Sequence, residues 1–430
     1  MANDLRIAVF RPNDNGHKII CAVEQLQYSV DQFEGFDISL LEKRRLCKVY
    51  GRQISFTVTG FISYKQEIVI VFPKGHRFPK QFEGLLEHVR VLAKALFRYR
   101  EEANYLPEES ELLNGGGTGG IFGPAPALWI MQDYLMHGYI RKDRKIYRTG
   151  PGSPVDWGRT TKRIEPYVIN NRPLYLDFII RETGNDSSHK LSLLHKYAVS
   201  ESFRLYGWLL DKEVETGGDG TYNPFSAETT KVILQMELRE TNVDREIKLI
   251  NAIKDFLLGS DESAERKELN TFATPYFHHV WEKICGAIFE NEYIQLKHLV
   301  PVPTWEWEEV KTATIQIPDI LFRYEDTLYI LDAKYYDTRR NLPGWHDLVK
   351  QFFYAYSLKG MESNYRNVMV FPTSTEYPDG MTYNGFSAIR GREDLGKVDG
   401  VSLNIIKAMK HYGSYSRSNF RNILAKIVCE

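Results

Sequence analysis

Along the first hundred residues, apolar side chains come first in short runs and then at helical spacing. The runs QISFTVTGFISY (53–64) and QEIVIVFPKG (66–75) predict a β-hairpin. The spacing through QFEGLLEHVRVLAKALFRYREE (81–102) predicts a helix that closes an N-terminal β-rich domain, residues 1–106. The pattern then breaks at PEESELLNGGGTGG (107–120), acidic and then glycine-rich, which predicts a flexible linker. Beyond it, PAPALWIMQDYLMHG opens on proline and stops at Gly138, the mark of a helix. YIRKDRKIYR (139–148) predicts a short basic strand pair, and Asp156 is placed to cap a helix through WGRTTKRI. SLLHKYAVSESFRLYGWLLD and DREIKLINAIKDFLLG predict further helices before a charged junction, SDESAERKELN (260–270). The middle region, 121–262, thus reads as helical and suited to DNA recognition or partner binding. Its helix, basic hairpin and helix fit a winged-helix-like DNA reader and fit ordinary packing as well.

The last segment, 263–430, alternates differently. In YFHHVWEKICGAIF, Phe277, Trp281, Ile284 and Ile288 fall on one face of a helix. Two β-like runs follow within PDILFRYEDTLYILDAKYYD (318–337), then a helical HDLVKQFFYAYSLKG ending at Gly360, then an apolar strand NVMVFP. The order α-β-β-α-β describes a compact α/β unit around a buried sheet. The expected fold class is therefore multidomain α+β: a β-rich N-terminal domain, a helical middle and a C-terminal α/β core.

Composition narrows the function. The 430 residues include 55 basic and 56 acidic side chains, a net charge of −1, which excludes a strongly basic nucleic-acid coat protein. An enzyme acting on DNA remains compatible, since only a local groove must be positive. Basic clusters with aromatic interleaving occur at 141–148, 160–163, 337–341 and 410–421. No apolar run reaches the ~20 residues of a membrane span, and no signal-peptide pattern opens the chain, so a cytoplasmic protein is expected. The four cysteines (Cys21, Cys47, Cys285, Cys429) are scattered without CxxC spacing, which fits reduced thiols rather than a disulfide or zinc framework. No GxxxxGK[ST] occurs, so a nucleotide-driven motor, where one acts, is another polypeptide.

The candidate chemistry lies in the charges of PDILFRYEDTLYILDAKYYD. With Glu325–Asp326 as a two-residue loop, Tyr324 pairs with Thr327, and counting outward sets Asp319 opposite Asp332. Lys334 falls on the same face by the period-two alternation of a strand, while Leu331, Ala333 and Tyr335 point the other way. Glu-Asp is not the preferred pair for such a turn, and a longer loop would shift the register. Opposed carboxylates repel and call for compensation. A Mg²⁺ ion, which binds through one or two carboxylates plus water and phosphate, supplies it, and Mn²⁺ is the alternative. The Ala333 carbonyl points to the same edge as a third ligand. Lys334 would orient or activate water and offset charge on a phosphate, a set suited to metal-assisted phosphodiester hydrolysis. The competing reading is a surface hairpin with a salt bridge. His278, His279 and His346 have no Cys or His partner at zinc-ligand spacing.

PD followed thirteen residues after its Asp by DAK resembles the PD-(D/E)xK nuclease superfamily, whose core runs α-β-β-β-α-β. More narrowly, ILDAKYY with LPGWHDLVKQFFYAY resembles the LlaJI family of restriction endonucleases and their McrC-type relatives. FHHVWEKIC, VDWGRTTKRIEPYVINNRPLY and GFISYKQEIVIVFPKG extend the likeness over most of the chain. The resemblance implies a DNA-cleaving subunit of a restriction or phage-defence system acting on double-stranded DNA. It implies work either alone or beside an McrB-like AAA+ GTPase. Asp319 and Asp332 match the metal ligands, Lys334 the catalytic lysine, and Glu282 an acidic position often aimed at the metal, though a solvent-facing glutamate fits there equally. Gln351 matches a glutamine that follows the site, but QFFY puts Tyr354 three residues on rather than four, a departure that sets a Gln351–Tyr354 role in doubt. Tyr336 and Lys350 are weaker candidates for phosphate contact. One site per chain implies a homodimer or larger assembly for double-strand cleavage. A non-catalytic DNA-binding assembly protein is the alternative from a different class.

Overall fold

A computed structural model describes residues 7–10, 18–65, 67–102, 106–113, 123–185, 189–210, 222–259, 269–302, 304–306, 310–312, 317–339, 341–358 and 364–429. The chain forms two compact units, one of residues 1–119, 208–211 and 261–430, the other of 120–207 and 212–260. Mixed α/β structure with several sheets makes up the whole.

The first unit begins with β1 (Ala8–Phe10), β2 (Lys18–Val23), β3 (Thr59–Tyr64) and β4 (Glu67–Phe72). β3 and β4 form the expected hairpin, Tyr64 opposite Glu67. The earlier part of that apolar run, Gln53–Phe56, goes to a separate small sheet with Tyr28–Ser29 and Cys47–Tyr50. β2 and β4 are parallel and buried over most of their length, as their near-continuous apolar sequences require. Helix α1 (Phe82–Glu102) buries Leu85, Val89, Leu92, Leu96 and Tyr99, which recur at helical spacing.

Residues 107–113 correct the expected linker: they form helix α2 (Pro107–Leu113). Its Glu109 is fully buried and accepts hydrogen bonds from Tyr99 Oη at 3.1 Å and Thr274 Oγ1. A buried carboxylate with two donors fixes a helix that composition alone presents as spacer. The glycines of 114–120 lie outside the described residues, as does most of the 260–270 junction.

The next element, β5 (Leu269–Thr274), pairs along its whole length with β3, from Leu269 opposite Tyr64 to Thr274 opposite Thr59. A strand that opens the C-terminal segment therefore completes the N-terminal sheet, in the order β1-β2-β4-β3-β5. Gly60 makes this pairing feasible. Its φ is +138°, and a Cβ there would lie 2.3 Å from the Phe272 carbonyl oxygen.

After β5 come α3 (Phe277–Ile288), β6 (Ile320–Tyr324), β7 (Thr327–Ala333), α4 (Trp345–Leu358) and β8 (Tyr365–Thr373). β9 (Met381–Ala388), β10 (Lys397–Asn404), α5 (Ile405–Gly413) and α6 (Phe420–Cys429) follow. The second sheet runs β6-β7-β8-β10-β9, with β7, β8 and β10 parallel. Among the described residues, two of its strands, not three, lie between α3 and α4, and the short pair Thr304–Glu306 with Val310–Thr312 makes its own ladder. One face of the sheet packs Leu321, Leu328 and Ile330 against Tyr354, Ala355 and Leu358 of α4. From α3, Trp281 is buried and donates from Nε1 to the Val370 carbonyl. Cys21, Cys47 and Cys285 are buried free thiols.

The second unit contains helices at Pro124–His137, Lys190–Tyr206, Ala227–Glu240 and Asp244–Leu258. Asp156 caps Trp157–Arg163 by accepting from the Arg159 amide at 3.0 Å. The basic stretch at 139–148 is not a strand pair. Asp143–Thr149 is one strand, paired with Ile179–Asn185. No residue within it takes positive φ, so the chain runs straight through. A hairpin instead turns at Asn170–Asn171, both at positive φ. No described helix is long and apolar enough to cross a membrane.

Gly60→Ala is expected to destabilise the first unit by about 2 kcal/mol or more, because strain and overpacking coincide. A shift in the denaturant midpoint measures it. An unchanged midpoint would show that β5 tolerates displacement.

Candidate active site

The β6–β7 hairpin has the register that counting from its loop predicts: Tyr324 opposite Thr327 and Ile320 opposite Leu331. Glu325 meets the demand of the tight loop by adopting φ +51°. Just beyond the last pair of the ladder lie Asp319, which precedes the strand, and Asp332. By strand alternation Asp332 shares the face of Leu328 and Ile330, the face that α4 covers. Leu331, Ala333 and Tyr335 are buried on the opposite side.

The carboxylates are held differently. Asp319 Oδ2 accepts the Ala333 amide at 2.9 Å, while its backbone carbonyl accepts Asn291 Nδ2 at 2.9 Å. Asp332 is 6% exposed, and its Oδ2 lies 3.0 Å from Lys334 Nζ. The ammonium lowers Asp332 by its charge and by a hydrogen bond, without undoing the effect of burial. Burial and then the charge of Glu282 raise Asp319; burial and then Asp319 raise Asp332. The two titrate as a pair. Burial pulls Lys334 down, but Asp332 and Asp347 outweigh it and raise the ammonium above its ordinary range.

Glu282 on α3 joins the cluster: burial raises it, and the charges of Lys334 and Asp332 act on it. Ala333 takes part through its amide. Gln351 is fully buried, donates from Nε2 to the Val368 carbonyl at 3.3 Å, and its backbone carbonyl accepts Asn367 Nδ2. These bonds tie α4 to β8 and none reaches the carboxylate pair. His278, one turn before Glu282, is pushed down to about 4 by burial and by His279, Lys74 and Lys334, so it is neutral at pH 7. Among the described residues, no three His, Cys, Asp or Glu side chains form a group able to hold a metal ion.

Asp347, which the sequence reading did not name, belongs here, and so does Tyr354. Asp347, in the first turn of α4, places Oδ1 3.2 Å from Lys334 Nζ and accepts Tyr336 Oη on Oδ2 at 3.1 Å. Tyr354 is buried within the fields of Asp319, Asp332 and Lys334. Asp347 stands four residues before Gln351, the spacing of one helix face. An aspartate in a first helical turn has an ordinary explanation in the helix dipole, and that hid it.

The N-terminal sheet braces the same strand end. Tyr335 Oη accepts the Lys74 amide at 2.6 Å and donates to Glu24 Oε2 at 2.9 Å; Glu24 also accepts Thr59 Oγ1. The Tyr335 ring packs on Phe277 at the start of α3.

Residues 58–399 match the family model described as LlaJI restriction endonuclease. The chain belongs to the LlaJI restriction endonuclease family. A relative from Bacillus subtilis (strain 168), "Type II restriction enzyme BsuMI component YdjA", is 27% identical over 300 residues. The alignment covers 65% of this chain and spans 63% of that protein's length. A solved chain from "Refined half-complex from tetradecameric assembly of Thermococcus gammatolerans McrB AAA+ hexamers with bound McrC" aligns over 94% of this chain and 100% of its own. It does so at 14% identity and a TM-score of 0.44, too loose a likeness to carry fold or function. Within the LlaJI-family match lie all four clustered residues, Glu282, Asp319, Asp332 and Lys334.

The raised Asp332 fixes the sign of a stability effect. Its ionised form costs stability above about pH 6, and the cost is absent below about pH 4, where folded and unfolded chains both carry the proton. In chelator, Asp332→Asn is therefore expected to stabilise the protein at pH 8, by on the order of 1 kcal/mol. The gain should fade as pH falls toward 4. Thermal melting across that range checks it, and a variant less stable than wild type at pH 8 contradicts it.

Proposed function

We propose that this LlaJI-family chain is a Mg²⁺-dependent deoxyribonuclease of a restriction system, hydrolysing phosphodiester bonds of double-stranded DNA. The observation that carries the reading is the adjacent pair Asp319–Asp332, both raised by burial, with Lys334 beside it, within a restriction endonuclease family. The order α3, β6, β7, α4, β8 and the spacing of Asp319 and Asp332 support a PD-(D/E)xK core.

The donor set fits a hard divalent cation. Asp319 and Asp332 would hold it, the ion displacing the Lys334 ammonium from Asp332 Oδ2, with Glu282 adding negative field nearby. Water and substrate phosphate would complete the shell, which accords with a site of two strong protein ligands. When bound, Mg²⁺ or Mn²⁺ supplies Lewis acidity at the scissile phosphate. The protein's own part is then positional and electrostatic. Two carboxylates keep Lys334 protonated, so it is a poor acceptor of a proton from water. It donates hydrogen bonds to water or phosphate and offsets charge as one P–O ester bond breaks and water adds.

A second reading makes cleavage depend on partner proteins, such as an McrB-like AAA+ GTPase. It is favoured by the word "component" in the B. subtilis relative's description. Two chains acting together would cut both strands.

On supercoiled plasmid with millimolar Mg²⁺, Asp332→Asn and Lys334→Met are each expected to lower cleavage by roughly 10²–10³-fold, with DNA binding kept. The assay runs with the chain alone and with the other components of its system plus GTP. Cleavage that survives both substitutions sinks the assignment, and cutting by the chain alone removes the partner requirement.

Metal binding requires ionised carboxylates, so Mn²⁺ affinity is expected to hold above pH 7 and weaken as pH falls through about 6. Calorimetric titration at several pH values reads this, and pH-independent affinity would place the ion elsewhere.

A further inference from the structure

Lys334 is shared by two carboxylates that the cleavage reading does not need equally. Its ammonium lies 3.0 Å from Asp332 Oδ2 and 3.2 Å from Asp347 Oδ1. The other oxygen of Asp347 is held at 3.1 Å by Tyr336 Oη, two residues beyond Lys334 on the same chain extension. Asp347 is half-buried, and its strand-side contacts fix both of its oxygens. A divalent cation on Asp332 and an ammonium on the same oxygen exclude one another by charge and by space. With Asp332 as its sole anchor, Lys334 would have to leave the site when the ion arrived.

We propose that Asp347 is a positioning residue: it receives Lys334 when a divalent cation takes Asp332, and Tyr336 holds Asp347 in the orientation that receives it. This rests on the metal-nuclease reading above. Loss of Asp347 leaves the lysine only Asp332 as partner and so sets it in competition with the ion. Loss of the lysine removes the competition and with it the need for Asp347.

The test is a double-mutant cycle read by Mn²⁺ affinity, with no cleavage required. Lys334→Met is expected to tighten Mn²⁺ binding and Asp347→Asn to weaken it, each by roughly 3- to 10-fold. In the Lys334→Met background, Asp347→Asn should change affinity less than about 2-fold. Tyr336→Phe should weaken binding in the wild-type background and have no effect once Lys334 is gone. Asp347→Glu, which keeps the charge, should bind nearly as wild type does. Equal losses from Asp347→Asn in both backgrounds would mean that Asp347 acts on the ion directly, and would overturn the proposal while leaving the site reading intact. So would an Asp347→Asn variant of wild-type affinity. A wild-type chain that binds no Mn²⁺ overturns the site reading and this proposal together. Thermal melting confirms that each variant is folded, and the Tyr336→Phe cycle decides the matter if Asp347→Asn is not.

Discussion

Two carboxylates face each other in a buried corner at the end of a sheet, and the surrounding residues answer to the cost of that arrangement. Burial is the largest influence on both Asp319 and Asp332, and it acts against ionisation. The Ala333 amide, the Lys334 ammonium and a hydrogen bond between the two acids push the other way, and they do not win: both acids remain raised. A structural salt bridge would have settled with the carboxylate lowered, as surface pairs do. Here the protein has accepted an incompletely compensated pair at the position where its family match and its hairpin register coincide, which is the pattern of a site built for something it must bind.

The cost is tolerable because the strand end has no freedom to move away. Lys334 donates its amide to the Val370 carbonyl on one neighbouring strand. The very next residue, Tyr335, points to the other face and is locked by Lys74, Glu24 and Phe277. Glu24, raised by burial, accepts from both Tyr335 and Thr59. The N-terminal sheet is thus scaffold for the candidate site rather than a separate module beside it. Strand β5 makes the same connection through the backbone, leaving the N-terminal sheet at Thr274 and entering α3 at Phe277. That the family match begins at residue 58, inside this sheet, is consistent with such an arrangement.

What the sequence made legible was local. Helical spacing placed Trp281 and Ile284 inside, Asp156 at a cap and Gly138 at a helix end, because these depend on neighbours within a turn or two. The hairpin register followed from a two-residue loop, even though Glu-Asp is a poor loop pair, since alternation of buried and site-facing residues penalises a one-residue slip across the whole strand. What escaped was long-range. The partner of β5 lies about two hundred positions away, and the partner of Asp143–Thr149 lies beyond an intervening helix and hairpin. Helix α2 was hidden by its acidic composition, since only Tyr99 and Thr274 make a buried Glu109 sensible. Asp347 was hidden for the same reason: its meaning depends on Lys334 and Tyr336 across a sheet-to-helix contact. Gln351 is the mixed case. Its place after the site suggested chemistry, and the structure adds bonds to β8 from its Nε2 and its backbone carbonyl.

The charge count of the cluster bears on how a polyanion could approach it. Two carboxylates, Asp332 and Asp347, contact one ammonium, Glu282 and Asp319 lie within its field, His278 is held neutral and Lys74 is paired with Glu24. A phosphodiester meeting that pocket without further cations meets repulsion at every ionised acid. Protonation of the raised pair relieves part of it, but a protonated carboxyl offers no field to draw a phosphate in. A divalent cation would relieve both, neutralising the pair and offering the phosphate oxygens a Lewis acid. On the nuclease reading, then, the metal would govern productive seating of the phosphate as well as the bond-breaking step, and basic surface elsewhere on the chain would serve to hold DNA without activating it.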